Sequence, residues 1–181
     1  MAISEFNLAQ HQRAERKMLI TVAEWKDANG TVTIDGEKYN REILGRRTED
    51  SSIEYNADIE TTTDILGINY TDINRTQPQQ DFDPYLILGG SKLGAKLNDI
   101  RKRNALSELD QFNLYIITAY VGDSTNGYEA ERHVNCTITY NSLGGDANVN
   151  MPISVYFSND SKTGTVNKLS DDFTFTADVS V

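Results

Sequence analysis

The chain has 181 residues, of which 27 are acidic and 17 basic, so its formal net charge is −10 at pH 7. Affinity for duplex DNA depends mainly on Lys and Arg that neutralise phosphates, so this charge excludes a general nucleic-acid binder. The single cysteine, Cys136, excludes an internal disulfide framework, and the length favours one domain.

The first sixteen residues are polar, with Phe6 and Leu8 as scattered apolar positions. We interpret residues 1–16 as an N-terminal arm without a core of its own and residues 17–181 as a single domain. Glu5 and polar neighbours stand where a secretory signal would be apolar, and the apolar runs are too short to span a bilayer. We therefore expect a soluble protein that does not enter a membrane.

Residues 18–25 are apolar at both alternating sets of positions, which predicts a strand buried on both faces. The turn residues of 27–30 then predict a hairpin between this strand and residues 31–34. Asp35-Gly36 predicts a second tight turn, after which the strand containing Tyr39 ends at Gly45.

The segment 53–60 has the clearest alternation in the chain. Successive strand side chains point to opposite faces, so we expect one packed apolar face and one acidic face. The apolar positions are Ile53, Tyr55, Ala57 and Ile59, and the polar positions are Glu54, Asn56, Asp58 and Glu60.

Residues 61–84 show no clear helical or strand continuity, so we expect a long loop there, and long loops in compact domains are usually functional. Ser91 then predicts the N-cap of a short helix, whose apolar residues Leu93, Leu97 and Ile100 share one face. Its remaining faces are basic, with Lys92, Lys96, Arg101, Lys102 and Arg103.

The rest of the chain reads as strands at 112–121, 129–140, 149–157 and 173–181, separated by loops rich in Gly, Asn, Ser and Asp. The sequence thus predicts an all-β protein with one short helix, built as an antiparallel β-sandwich or partly closed barrel.

Candidate catalytic and metal-binding groups are few. His133 and Cys136 are three residues apart, which on a regular strand places them on opposite faces, and His11 lies in the arm. The acidic pairs at 81–83 and 171–172 lack calcium-loop spacing, and the glycine-rich segment 89–94 lacks P-loop spacing. We expect no enzymatic activity, no cofactor and no bound metal.

Several pieces of the chain, in order, resemble the major tail tube proteins of long-tailed, siphophage-like bacteriophages. They are Leu44-Gly45, the acidic alternation 53–60, Asp64–Gly67, Thr76-Gln77 and Phe82–Pro84. The resemblance implies a structural virion protein with a β-sandwich fold that forms rings of six, which stack into a tail tube. DNA would pass through this tube during ejection without specific binding.

The same resemblance implies the partners and the location. The chain would contact further copies of itself, tail tip and terminator proteins, and the tape measure protein. It would belong to the virion tail, assembled in the cytoplasm of the host bacterium.

Two sets of residues receive roles by this hypothesis. The acidic positions Glu54, Asn56, Asp58 and Glu60 would line the lumen, although a solvated polar face explains the same pattern. Contacts between subunits or rings would involve Phe6, Leu8, Asp64, Ile65, Leu66, Tyr70, Phe82, Lys102 and Arg103.

A second interpretation comes from a different class. The chain could be a monomeric β-sandwich binding module, such as a capsid decoration or adhesion domain, in which the long loop binds the ligand. The two hypotheses differ in size, since the first requires rings or polymers and the second a monomer.

Overall fold

The computed structural model describes residues 6–178. The chain is mostly antiparallel β-sheet with one short α-helix, which confirms the predicted fold class. The strands are β1 Leu19–Lys26, β2 Val32–Ile34, β3 Glu37–Ile43, β4 Ile53–Glu54, β5 Asp58–Thr63, β6 Asn69–Arg75, β7 Gln79–Phe82, β8 Phe112–Asp123, β9 Gly127–Tyr140, β10 Ile153–Tyr156, β11 Ser161–Val166 and β12 Phe175–Ala177, and the helix is α1 Lys92–Arg103. The 3₁₀ turn Arg16–Met18 precedes β1, and a second 3₁₀ turn, Leu106–Glu108, follows α1.

One open sheet contains ten of these strands, in the order β2-β3-β1-β8-β9-β10-β7-β4 with β11 and β12 as a branch. The branch arises at β9, which is 14 residues long. Its first half pairs with β11 and its second half with β10, while β8 runs along its other edge. The two layers of the fold therefore share β9.

The central strands β1 and β8 are buried on both faces, as the apolar sequence of residues 18–25 predicts. Ala23 and Trp25 pack into one core with α1, whereas Val22 packs into a second core with Tyr115 and Phe173. A strand buried on both faces also needs partners at both edges for its backbone N–H and C=O groups. β1 accordingly lies between β3 and β8.

The predicted hairpin between β1 and residues 31–34 is wrong. A turn does form at 27–30, where Gly30 N donates to Asp27 O over 2.9 Å. The chain then passes to the outer edge of the sheet, where β2 pairs with β3 and β3 pairs with β1. The tight turn at Asp35-Gly36, with φ of 50° and 82°, joins β2 to β3 as predicted.

The helix forms where its cap and spacing predict it. Ser91 Oγ accepts a hydrogen bond from Gly94 N over 3.0 Å, and Leu93, Leu97 and Ile100 are fully buried. Glu42 of β3 adds a carboxylate at the same end, accepting from Lys92 N over 2.6 Å and from Leu93 N over 2.9 Å. The carboxylate and the helix dipole attract each other, so β3 fixes the start of α1.

The strand predicted at 53–60 is interrupted. β4 ends at Glu54, and Asn56 has a φ of +41°, a left-handed conformation that stops the alternation before β5 begins at Asp58. The predicted packed face is also wrong, because Tyr55 and Ile59 remain more than half exposed.

The loop predicted at 61–84 is wrong for most of its length. Residues 58–75 form the hairpin β5–β6, and β7 joins the main sheet between β10 and β4. The sequence interpretation also missed β11, which lies within the segment assigned as a loop at 158–170. The predicted strand at 149–157 begins only at Ile153. Met151, Ile153, Val155 and Phe157 are buried, whereas Val149, which alternation predicts on the same face, is 53% exposed.

Candidate assembly surface

The hairpin β5–β6 is a two-stranded sheet of its own. Every residue of its two strands is exposed, on both faces. At its base Gln77 N donates to Tyr55 O over 2.9 Å, and Asn56 Nδ2 donates to Gln77 O over 3.3 Å. A two-stranded hairpin is marginally stable in water by itself, so a packing partner would stabilise this one.

The two faces of the hairpin differ in chemistry. On one face Ile59 lies opposite Ile73, and Thr61 lies opposite Thr71. On the other face Glu60 lies directly opposite Asp72, and Asp58 is paired with Arg75 through an irregularity in register. Opposed like charges weaken a strand pair, so the Glu60–Asp72 arrangement costs stability in the isolated chain.

The tip of the hairpin is an ordered turn. Asp64 Oδ1 accepts hydrogen bonds from Leu66 N over 2.8 Å and from Ile68 N over 2.9 Å, and Gly67 occupies the left-handed region with φ of +78°. The hydrogen bonds from Ile68 and Leu66 lower the pKa of Asp64. The turn presents Ile65, which is fully exposed, and Leu66, which is 77% exposed. Apolar side chains held outward by an ordered turn are suited to contact another molecule.

Sequence reasoning placed four polar residues on one strand face, but the structure divides them. Glu54 lies on β4, and Asn56 adopts a left-handed conformation between β4 and β5. Asp58 and Glu60 share one face of β5. Asp72 joins this acidic face from β6, and the sequence interpretation missed it. Thr61–Thr63 and the turn Asp64–Gly67 were signals for this hairpin, because β-branched residues before turn residues are typical of one.

The predicted contact residues lie in several places. Asp64, Ile65, Leu66 and Tyr70 belong to the hairpin, where Tyr70 OH donates to Asp64 Oδ2 over 3.3 Å. Phe82 is buried in the main core, 1% exposed, because β7 pairs with β10 and turns this side chain inward. Phe82 is therefore not on the open surface of the single chain.

The arm is partly anchored to the domain. Phe6 lies against Tyr120 with ring centroids 5.7 Å apart, and Asn7 N donates to Tyr120 O over 3.0 Å. Phe6 nevertheless remains 66% exposed, and Leu8 is half-buried. Residues 1–5 of the predicted arm and residues 179–181 of the predicted last strand lie outside the described residues.

The basic surface of α1 is largely satisfied within the chain. Arg103 binds Asp99 over 2.7 Å and Glu108 over 2.8 Å, and Lys96 also binds Glu108. Arg103 and Lys96 together lower the pKa of Glu108 to about 2. Lys102 is exposed and makes no hydrogen bond or ion pair with residues 6–178. Of the two predicted helix contacts, Lys102 has a free charge and Arg103 does not.

The possible catalytic pair His133 and Cys136 lies in a different geometry from the predicted one. Asn135, with φ of 55°, forms a bulge in β9, and both side chains become buried on the side of Ser158. His133 Nδ1 lies 2.8 Å from Ser158 O, and Cys136 Sγ accepts from Ser158 N over 3.4 Å. Burial raises the pKa of the Cys136 thiol, which disfavours the nucleophilic thiolate.

The other candidate ligand sites are occupied by the chain's own groups. The helix start in the glycine-rich segment 89–94 is neutralised by Glu42, as described above. Asp83 accepts from Asn150, and Asp172 binds Lys168. Residues 6–178 contain no cluster of three or more His, Cys, Asp or Glu side chains able to hold a metal ion. No helix in this part of the chain has the length and apolarity needed to cross a membrane.

No protein-family model matches this chain, and no curated protein matches it. Six chains of solved structures match it. Among them are a chain from the structure of the anti-feeding prophage cap, the tube-terminating cap (TM-score 0.47, 12% identity, covering 91% of this chain and 99% of that one), and a chain from the structure of the anti-feeding prophage baseplate (0.43, 10%, 90% and 100%). A third comes from the sheath–tube complex of the extracellular contractile injection system PVC in its extended state (0.42, 12%, 86% and 94%). At TM-scores below 0.5 these similarities do not decide what this chain does.

Proposed function

We propose that this protein is a structural subunit of a phage-type tail tube, in which rings of six copies stack into a conduit for DNA. The proposal is supported by the sequence resemblance and by one observation, the exposed hairpin β5–β6. This hairpin combines an apolar face at Ile59 and Ile73 with an apolar tip at Ile65 and Leu66. Both of its strands are exposed, and each has one edge that pairs with no strand in residues 6–178. Such a surface gains stability only when another molecule covers it.

The acidic face of the hairpin has a separate role in the proposal. Asp58, Glu60 and Asp72 of each subunit face the lumen, where repetition around the ring creates a strongly negative wall. The wall repels DNA phosphates, so DNA slides and does not adhere. In this proposal Glu54 and Asn56 line the lumen separately, at the base of the hairpin.

The proposed role includes no enzymatic step. Subunits assemble into the tube in the cytoplasm of the host bacterium, around the tape measure protein. The tube starts at the tail tip proteins and ends at a terminator protein. In the mature virion it belongs to the tail.

The test is the size of the protein as a function of its concentration. The proposal predicts hollow rings or rods by negative-stain electron microscopy of concentrated protein, and matching heavy species by analytical ultracentrifugation. A monomer near 20 kDa at every concentration would contradict it and favour the alternative, a monomeric binding module such as a capsid decoration or adhesion domain that uses the hairpin to hold its ligand.

A further inference from the structure

An apolar groove of about 420 Å³ opens beside the start of β1 and the end of β3. Its apolar wall is formed by Leu19, Ile20, Ile43 and Leu44, and Phe82 lies at its floor. Residues of the segment 45–51, which lies between β3 and β4, complete the lining. It is therefore a second apolar surface, separate from the hairpin.

The rim of the groove is basic. Arg16, Lys17 and Arg46 line it, with Glu49 as the one acidic residue of its lining. Lys17 also pairs with Glu15 outside the groove over 2.6 Å, an exposed pair that leaves Arg16 and Arg46 as the unneutralised charges. Arg16 donates to the backbone oxygens of Ser51 and Leu19, so no carboxylate neutralises its charge. Arg46 is exposed and forms no ion pair or hydrogen bond with the described residues.

The hairpin has the opposite charge and a matching apolar tip. Residues 54–77 contain five acidic residues and one basic residue, which gives a net charge of −4. At their centre the turn at Asp64 holds Ile65 and Leu66 outward. The hairpin is thus an apolar tip with acidic flanks, and the groove is an apolar cleft with basic flanks.

We propose that Ile65 and Leu66 of one copy enter this groove of a second copy, where the basic rim meets Asp64 beside the tip. The proposal rests on the self-assembly proposed above and assigns its receiving surface. Burial of the two aliphatic side chains supplies affinity, and the opposite charges set the direction of approach.

The contact is made between copies, not within one. The six residues of β5 extend the tip roughly 20 Å beyond the base of the hairpin, at about 3.3 Å per residue, and both tip residues are exposed in the single chain. Tip and groove are different surfaces, so the pairing is heterologous. Repetition of a heterologous contact produces a closed ring or an open-ended stack.

Two variants test the two sides of this contact one at a time. The tip variant carries Ile65→Asp and Leu66→Asp, and the groove variant carries Lys17→Glu and Arg46→Glu; all four positions are exposed, so the monomer fold is retained. We expect each variant alone to raise the concentration for half-assembly by at least about tenfold, because acidic groups then face an apolar or acidic surface. Leu106→Asp and the pair Lys38→Glu with Lys162→Glu serve as matched controls on exposed positions elsewhere and should assemble normally.

The decisive measurement is a one-to-one mixture of the two variants in analytical ultracentrifugation. The groove variant retains an intact tip and the tip variant retains an intact groove, so one productive contact forms and assembly stops at heterodimers. A mixture that stays monomeric overturns the proposal, and so does a tip or groove variant that assembles like the unmodified chain. An unmodified chain that never assembles overturns the proposed function and this inference together, whereas normal assembly with normal variants overturns the inference alone.

Discussion

Glu24 and Arg41 lie directly opposite each other on β1 and β3 and form a buried ion pair, with Arg41 Nε donating to Glu24 Oε2 over 2.6 Å. Tyr115 OH donates to the same carboxylate over 3.1 Å, and Arg132 Nη2 approaches its other oxygen at 3.2 Å. The Arg41 guanidinium also stacks 4.0 Å from the ring centroid of Phe173. The pair therefore connects the four strands β1, β3, β8 and β9 and the segment that precedes β12.

Replacement of Glu24 should destabilise the fold strongly. Glu24→Gln keeps the shape of the side chain but leaves Arg41 and Arg132 without their carboxylate, and an uncompensated buried charge costs about 3 kcal/mol or more. Urea unfolding should show this loss in the free energy of unfolding. Glu37→Gln removes an exposed pair with Lys26 and should leave the free energy of unfolding almost unchanged, because exposed ion pairs contribute little; equal effects of the two changes would contradict the prediction.

The regular elements could be predicted from the sequence because their signals are local. Ser91 and the spacing of Leu93, Leu97 and Ile100 are enough to locate α1, and alternation locates most of β8 and β9. The pairing of strands is not local. β1 pairs with β3 and not with β2, because a strand that is apolar on both faces takes a central place in the sheet. The tight turns at both ends of β2 do not reveal which strand pairs with β1.

The candidate surface was only partly predictable, for two physical reasons. The left-handed conformations of Asn56 in the β4–β5 connection and of Asn135 in β9 each break a two-residue alternation, and Asn adopts that conformation without leaving a strong sequence mark. The hairpin strands are exposed on both faces, so the hydrophobic pattern that identifies a half-buried strand is weak there. The acidic residue Asp72 was missed for this second reason.

The pH dependence of stability should include a contribution from Glu108. Its pKa of about 2 in the folded chain lies below the ordinary value of 4.5, since Arg103 and Lys96 stabilise the carboxylate. The stabilisation is fully present above pH 4.5 and is lost as the pH falls towards 2. Glu108→Gln should therefore unfold more easily at pH 7, by no more than about 1 kcal/mol, and should lose less stability between pH 4.5 and 2. Urea unfolding across this pH range measures the free energy of unfolding, with Asp146→Asn as an exposed control. Parallel curves of this free energy against pH for Glu108→Gln and the unmodified chain would refute the contribution of Glu108.

The apolar face of the hairpin should matter for assembly and not for folding. Ile73 is 65% exposed and lies opposite Ile59, so Ile73→Asp removes little from the isolated chain but places a charge in any contact that covers this face. We expect the midpoint of urea unfolding to shift little and the amount of assembled protein, measured by sedimentation, to fall severalfold. Leu106→Asp changes a similarly exposed residue outside the hairpin and should leave assembly intact. Normal sedimentation of Ile73→Asp would place this face in solvent within the assembly.

The acidic face of the hairpin should control the passage of DNA. Glu60 and Asp72 oppose each other, so Glu60→Lys together with Asp72→Lys reverses the charge but preserves a like-charge pair, and the hairpin should keep its stability. If this face lines the lumen, the new ammonium groups attract phosphates and DNA adheres to the wall. We expect tails of normal length by electron microscopy but slow or incomplete DNA ejection from particles that carry the variant.

The control variant Asp110→Lys with Asp146→Lys makes the same change in net charge at exposed positions outside the hairpin, and its particles should eject DNA normally. The attraction is electrostatic, so raised salt should restore part of the ejection rate. Normal ejection through normal tails would exclude a role of this face in the lumen, and malformed tails would assign it to a contact between subunits.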